Sequence, residues 1–195
     1  MAKTKENSFV ATLLRRGRVY LDRYKVVDFQ TTRMYRHVLA VQEHCGNVVM
    51  DLLNTHLEST QEHSDVKLRQ LEHCFDIMTR RPGDRTVIFG GDLNMRDKEV
   101  AKVGELPPGV KDVWEDLGRR KLEGYTWDLQ RNSNLEWAGK WKPKCRFDRV
   151  YIRTSETSNV IADQFGLVGL QKVEGTQAFP SDHWGVRVQL KLSHQ

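Results

Sequence analysis

Apolar and polar residues alternate most strictly over 184–192, where Trp184, Val186, Val188, Leu190 and Leu192 are separated by Gly185, Arg187, Gln189 and Lys191. A period of two puts one set of side chains on each face, the mark of a half-buried strand. The same rhythm, less strict, runs over 146–153 (RFDRVYIR) and 36–42. NVVMDLL at 47–53 is β-rich and follows Gly46, a turn residue, so 36–53 reads as a hairpin. The short apolar run TVIF at 86–89 predicts a strand covered on both faces, and residues 9–14 read as a further strand. Residues 64–80 break the pattern. Leu68, Leu71, Phe75 and Met78 fall on one face of a helix, and Pro82 and Gly83 stop it. A helical turn is expected over 110–117, and the polar residues 1–7 are expected to fray.

Strands with one clear helix between two of them predict an α/β (α+β) arrangement of layers on mixed sheets. A two-sheet sandwich flanked by helices satisfies the pattern, although periodicity does not fix the strand order. No internal repeat or low-complexity tract interrupts the chain.

Size and charge narrow this picture. The 195 residues suit one domain, 1–195, with a real core, and are too few for two typical ones. Apolar residues are 38% and charged residues 29%, and no apolar run approaches the 18 residues of a membrane span. No secretory h-region follows the first residues, so an intracellular protein without membrane contact is expected. Cys45, Cys74 and Cys145 are far apart, odd in number and without a CxxC pair, which argues against a zinc site or a disulfide framework. The net charge of +5 permits a polyanionic partner. Its densest stretch (Arg15, Arg16, Arg18, Arg23, Lys25) is explained as well by a solvated strand and loop as by a nucleic-acid patch.

The candidate chemistry lies beside the strands, where α/β proteins assemble their sites. NTHLES follows MDLL, GDLNMR follows TVIFG, Asp148 lies within RFDRV, and Ser181-Asp182-His183 precedes WGVRV. On an extended backbone Asp92, Asn94 and Arg96 face one way, as do Asn54, His56 and Glu58. A carboxylate to deprotonate water, with an amide and a guanidinium to stabilise phosphate charge, suits phosphate-ester hydrolysis. Gly90 and Gly91 would let substrate approach the backbone. Each cluster has a plainer explanation: Gly, Asp and Asn also make turns, and a lone histidine at a strand end is more often structural. Asp148, a carboxylate in an apolar strand, needs a partner, and a histidine imidazolium is a natural one.

Taken together, HLES, GGDLNMRD, RFDRV and PSDHWG, in this order and spacing, resemble the endonuclease/exonuclease/phosphatase superfamily. LPPGVKDVWEDLG, YTWDLQRNSNL and FPSDHWGV point to the branch acting on tyrosyl adducts at DNA ends. The resemblance runs from about Phe9 onward. It implies a four-layer, DNase I-like sandwich of two mixed sheets flanked by helices. It also implies a monomeric nuclear enzyme, also cytoplasmic, that uses Mg2+, with Mn2+ as a substitute, to remove topoisomerase-derived tyrosine from DNA 5′ ends. It carries the water-activating role to Asp92, water and phosphate positioning to Asn94, and phosphate contact to His183 and His56. Asp148 would orient His183, and Asp182 would lie at the outer edge of the metal. Ser59, Arg96, Trp127 and Leu135 would shape a narrow cleft for the strand end, with Arg36 close to the phosphates. The family's TWN and LQE motifs, whose Asn and Glu hold the metal, are absent from these 195 residues. The expectation is therefore the C-terminal portion of a catalytic domain, with an incomplete fold and little turnover. The alternatives are another phosphoester hydrolase of the superfamily, or an impaired fragment that binds DNA ends or protein.

Overall fold

The computed structural model describes residues 9–157 and 160–192; the expected fraying of 1–7 lies outside them. Its main sheet contains β1 (Tyr20–Asp28), β2 (His37–Cys45), β3 (Val48–His56), β4 (Thr86–Asp92), β8 (Asp148–Arg153) and β5 (Val110–Asp112), hydrogen-bonded in that order. The sheet is mixed: β3 and β4 run parallel, and every other neighbouring pair is antiparallel. A parallel pair needs a crossover, and α1 (Ser64–Thr79) supplies it.

Helix α1 lays Leu71, Cys74, Phe75 and Met78 on the sheet face formed by Val38, Ala40, Leu53, Val87, Phe89 and Tyr151. Phe75 meets Phe89 and Tyr151 edge-on, at 6.2 and 5.1 Å between ring centroids. The predicted helical face is therefore the core face, widened by Cys74 and by two buried polar residues, Lys67 and Gln70. The opposite face of β4 and β8 packs on an antiparallel ribbon of β9 (Val160–Val168) and β10 (Gly185–Leu192), through Ile88, Val150, Phe165, Leu167, Val186 and Val188. Arg187, Gln189 and Lys191 point outward from that ribbon and are exposed. Helix, sheet and ribbon thus form three stacked layers of the expected sandwich. Short elements fill the connections: α2 (Asp97–Val100), α3 (Val113–Asp116), and the pair β6 (Trp127–Asp128) and β7 (Lys144–Cys145).

Two long strands lie where the pattern gave no signal, and the short β5 takes the first residues of the helical turn expected over 110–117, which leaves α3 to its second half. β1 is an edge strand exposed on nearly every residue, so it has no buried face to impose alternation. β9 alternates poorly because Gly166 and Gln164 interrupt its apolar set. The predicted strand at 9–14 is not one. It half-buries Val10, Thr12 and Leu14, but no ladder forms. Asn54 Nδ2 tethers it by donating to the Ala11 carbonyl at 2.8 Å.

Candidate active site

Register assembles the centre of the site. His56 ends β3, Asp92 ends β4 and Asp148 begins β8; His56 pairs with Asp92, and Asp92 with Asp148. Residues directly opposite in neighbouring strands share a face, so three side chains from distant parts of the chain stand in one row. Gly91 makes the row possible. Its φ is 147°, and a Cβ there would lie 1.9 Å from the Thr55 carbonyl oxygen. At Gly90 a Cβ would come within 3.3 Å of the Arg149 carbonyl. The approach that the two glycines permit in this structure is that of the neighbouring strands.

His183 joins the row from the loop before β10. Its Nδ1 and Asp148 Oδ2 are 2.7 Å apart, and its Nε2 lies 4.0 Å from Asp182 Oδ2. Arg146 and Arg149, which could have taken Asp148, bind Asp112, Glu115 and Asp97 instead. His56 Nε2 stands 3.4 Å from Asp92 Oδ2.

Asn94 is not extended. Its φ of 51° turns the chain out of β4. Its backbone N–H donates to Asp92 Oδ1 at 2.8 Å, and its Nδ2 donates to the Leu57 carbonyl at 3.2 Å. Asp92, Asn94 and Arg96 therefore do not share a strand face; a side-chain turn of the kind Asp favours intervenes. Glu58 does not share one with His56 either. It is fully buried, and its Oε1 accepts from the Thr32 hydroxyl and the N–H groups of Arg33 and Met34 at 2.6–3.0 Å.

The electrostatics follow from this crowding. Burial, reinforced by the Asp148 carboxylate, pushes Asp92 up to about 6. Burial and the positive charges of Arg36 and His183 press His56 down to about 4, so at neutral pH it meets Asp92 as a neutral imidazole. Burial alone would lower His183 as well. The bond to Asp148 outweighs it and holds the ring above the ordinary histidine value.

Several supporting residues gave no functional signal in the sequence. Thr126 Oγ1 accepts from the N–H groups of Phe147 and Asp148, and its carbonyl accepts from Trp184 N–H at 2.7 Å. Asn132 donates to the Ser181 carbonyl, and Asn134 binds both polar backbone groups of Phe179. The asparagines of RNSNL thus clamp the loop that presents His183. Ser181 Oγ adds a bond from the His183 N–H.

No family model matches the sequence. The crystal structure of Danio rerio TDP2 complexed with single strand DNA product superimposes with a TM-score of 0.86 and 38% identity, covering 91% of this chain and 70% of that one.

The chain belongs to the tyrosyl-DNA phosphodiesterase 2 family.

The mouse tyrosyl-DNA phosphodiesterase 2 is 42% identical over 187 residues and the human one 39% over 188, each covering 96% of this chain. The chain spans about half the length of these curated relatives. The human Nocturnin catalytic domain, at 15% identity and a TM-score of 0.60, shares the fold.

Of the residues that the family resemblance assigned to the cleft, Arg36, Arg96 and Trp127 have links to this centre. Arg36 is 8% exposed, and its charge reaches both His56 and Asp92. Ser59 Oγ contacts Met34 Sδ at 3.2 Å. Arg96 is exposed at the start of α2, where its N–H donates to Glu99. Trp127 lies 5.5 Å from the ring of Phe147, which is 6.2 Å from that of His183. Leu135 is exposed on the loop beyond β6. Sequence reasoning missed Phe147, the ring linking Trp127 to the centre.

Ligand atoms of Asp92, Asp148 and His183 all lie within 4.8 Å of one another. Two carboxylates opposed across a ladder repel, and a cation between them relieves that repulsion. The oxygen-rich set suits a hard divalent ion that keeps much of its water.

Proposed function

We propose that this chain is the phosphodiesterase core that hydrolyses 5′-phosphotyrosyl bonds at DNA ends, in repair of topoisomerase-linked breaks in the nucleus. The observation that carries this reading is the row His56, Asp92, Asp148 joined by His183, within a fold shared at 38% identity with a relative solved with single strand DNA product.

Asp92, raised toward neutrality by its burial, takes a proton from the attacking water. Its Oδ1 is held by the Asn94 N–H, which leaves Oδ2 toward the reacting space. With one Asn94 amide N–H on the Leu57 carbonyl, the other and Oδ1 can fix the water. His183, kept cationic by Asp148, donates through Nε2 to a phosphoryl oxygen as charge develops there. Neutral His56 donates or accepts a hydrogen bond without adding charge beside Asp92. The attack is in line and leaves no covalent intermediate on the chain. A divalent ion, magnesium in this reading, would be held beside the row by the Asp148 carboxylate with Asp182 at its edge, leaving Asp92 as the base, and would neutralise charge on the phosphoryl oxygens. Trp127 offers a face to a nucleotide of a frayed strand, and Arg36 and Arg96 offer charge to its phosphates.

The test is hydrolysis of a 5′-phosphotyrosyl oligonucleotide in excess magnesium, beside an abasic-site duplex and a sugar phosphate. Preference for the tyrosyl end supports the reading, and preference for either of the others replaces it.

A further inference from the structure

The loop that joins β6 to β7 carries two further tryptophans, and both stand in water: Trp137 is 47% exposed and Trp141 75% exposed. A ring left so far in solvent adds little to folding. Exposed aromatic surface of this kind marks a place of contact. Neither tryptophan sits on a loose segment. Trp137 packs edge-on against Trp127, 6.4 Å between centroids, and its Nε1 donates to the Trp141 carbonyl at 2.8 Å. The chain passes hard against its ring at Gly139, where a Cβ would lie 2.5 Å from Trp137 Nε1. The ends of the loop are tied together as well. Leu129 N–H donates to the Pro143 carbonyl, and Gln130 Nε2 to the Lys142 carbonyl, each at 3.1 Å.

This loop continues the aromatic path that starts at the catalytic row. The rings of His183, Phe147, Trp127 and Trp137 follow one another at 6.2, 5.5 and 6.4 Å. Rings at these separations are in contact with each other, so they form a wall with outward faces rather than slots. Charge is interleaved with the wall at its outer end. Residues 136–144 contain Lys140, Lys142 and Lys144 against one carboxylate, Glu136. Lys140 and Lys142 are exposed. Lys144 Nζ lies 4.3 Å from the centroid of the Tyr125 ring, a position that favours the ammonium. Flat rings for bases and cations for the backbone are the two parts of a site for unpaired nucleic acid without sequence preference.

We propose that the β6–β7 loop is an outer binding site for single-stranded DNA, separate from the cleft that takes the strand's 5′ end. Trp141, with Trp137 beside it, stacks bases further along the same strand, and Lys140 and Lys142 meet their phosphates. This rests on the phosphotyrosyl reading above, which puts the strand end at His183. Bases inside a duplex already have both faces stacked, so the site acts on an unpaired overhang.

The test measures affinity in EDTA, where turnover is suppressed, for 3′-labelled single strands of about 3 and about 12 nucleotides, lengths that fall short of and span a typical single-strand site. Each is made with a 5′-phosphotyrosine and with a 5′-hydroxyl. The long tyrosyl strand should bind about tenfold more tightly than the short one, the scale of one or two stacked bases. A strand of the same length and charge, abasic beyond its first nucleotides, should lose most of that gain. Trp141→Ala should bring the long-to-short ratio toward one and leave the short strand's affinity unchanged, whereas Trp141→Tyr should keep the ratio. Lys140→Ala/Lys142→Ala should reduce the salt slope of the long strand by about one and spare that of the short strand. Equal affinity for long and short tyrosyl strands, both above the hydroxyl strands, overturns the outer site and leaves the phosphotyrosyl reading standing. A length gain that survives in the abasic strand or in Trp141→Ala also overturns it, because the gain then comes from charge or from another surface. A length gain that depends on Trp141 but is the same for tyrosyl and hydroxyl ends, with no preference between them, supports the outer site and overturns the phosphotyrosyl reading.

Discussion

Asp92 and Asp148 face each other across the β4–β8 ladder, two carboxylates where a sheet would ordinarily avoid like charges. Asp148 is committed to His183 through Oδ2, whereas the pKa of Asp92, the more deeply placed, is raised first by burial and then by the Asp148 charge. The two carboxylates differ along this line: Asp148 is bonded to the His183 imidazole and raises its proton affinity, and Asp92 has its own raised to about 6.

Asp148→Asn should leave the fold intact and cut turnover by roughly 10²–10⁴-fold, as expected when an orienting carboxylate behind a catalytic imidazole is lost. The His183 pKa, followed by NMR, should fall at the same time, because the bond that opposes its burial is gone. An unchanged His183 titration would refute the orienting role.

Asp92→Asn should abolish turnover and yet stabilise the metal-free protein. The folded pKa of about 6 lies above the 3.8 of a free aspartate, so the folded state binds the extra proton. Stability is then lost as pH rises from about 4 to 6, and the substitution restores it. A gain of roughly 1–3 kcal/mol is expected at pH 7.5 in EDTA, vanishing below about pH 4. Urea titrations at the two pH values read both ends of the window.

Glu58→Gln should loosen the segment that carries Arg36. Burial works against the Glu58 carboxylate, but three donors from Thr32, Arg33 and Met34 overcome it and lower the pKa. That stability is present above the unfolded value of about 4.5 and is lost as pH falls through the lower folded value. A loss of about 1–3 kcal/mol at pH 7 is expected, with KM rising more than kcat falls. A fall in kcat alone would place Glu58 in the chemistry instead.

Gly91→Ala should not give a folded protein with this register. The added Cβ meets the Thr55 carbonyl at 1.9 Å, and the φ of 147° is one that alanine resists. Insolubility, or loss of near-UV circular dichroism, is the expected result. A native-like variant would show that the β3–β4 approach is looser than described.

The legible part of the fold is the part that buries apolar side chains in a regular pattern. β10 and α1 do so on one face, β2, β3 and β8 through a looser alternation, and β4 through a short apolar run covered on both faces. β1 escaped because both its faces are largely exposed, and residues 9–14 misled because side chains can alternate against a surface without backbone pairing. The same limit applied to the site. GDLNMR was read as an extended run, but the Asp92 carboxylate captures the Asn94 N–H and turns the chain, an outcome of local hydrogen bonding that alternation does not register.

The sequence by itself determined the kinds of residue at the strand ends and, through its motifs, the family to which the chain belongs. Tertiary structure decided which of them meet. His56, Asp92 and Asp148 are brought into one row by the register of β3, β4 and β8, and a one-residue slip would turn a strand's whole set to the other face. His183 reaches that row because Thr126, Asn132 and Asn134 bind the backbone of its loop. Glu58, from the same segment as His56, is drawn instead into the core, where the N–H groups of Arg33 and Met34 bind its Oε1. Periodicity reports which way a side chain faces relative to its own strand. Pairing between strands distant in sequence fixes what that side chain meets, and that pairing is a property of the sheet as a whole.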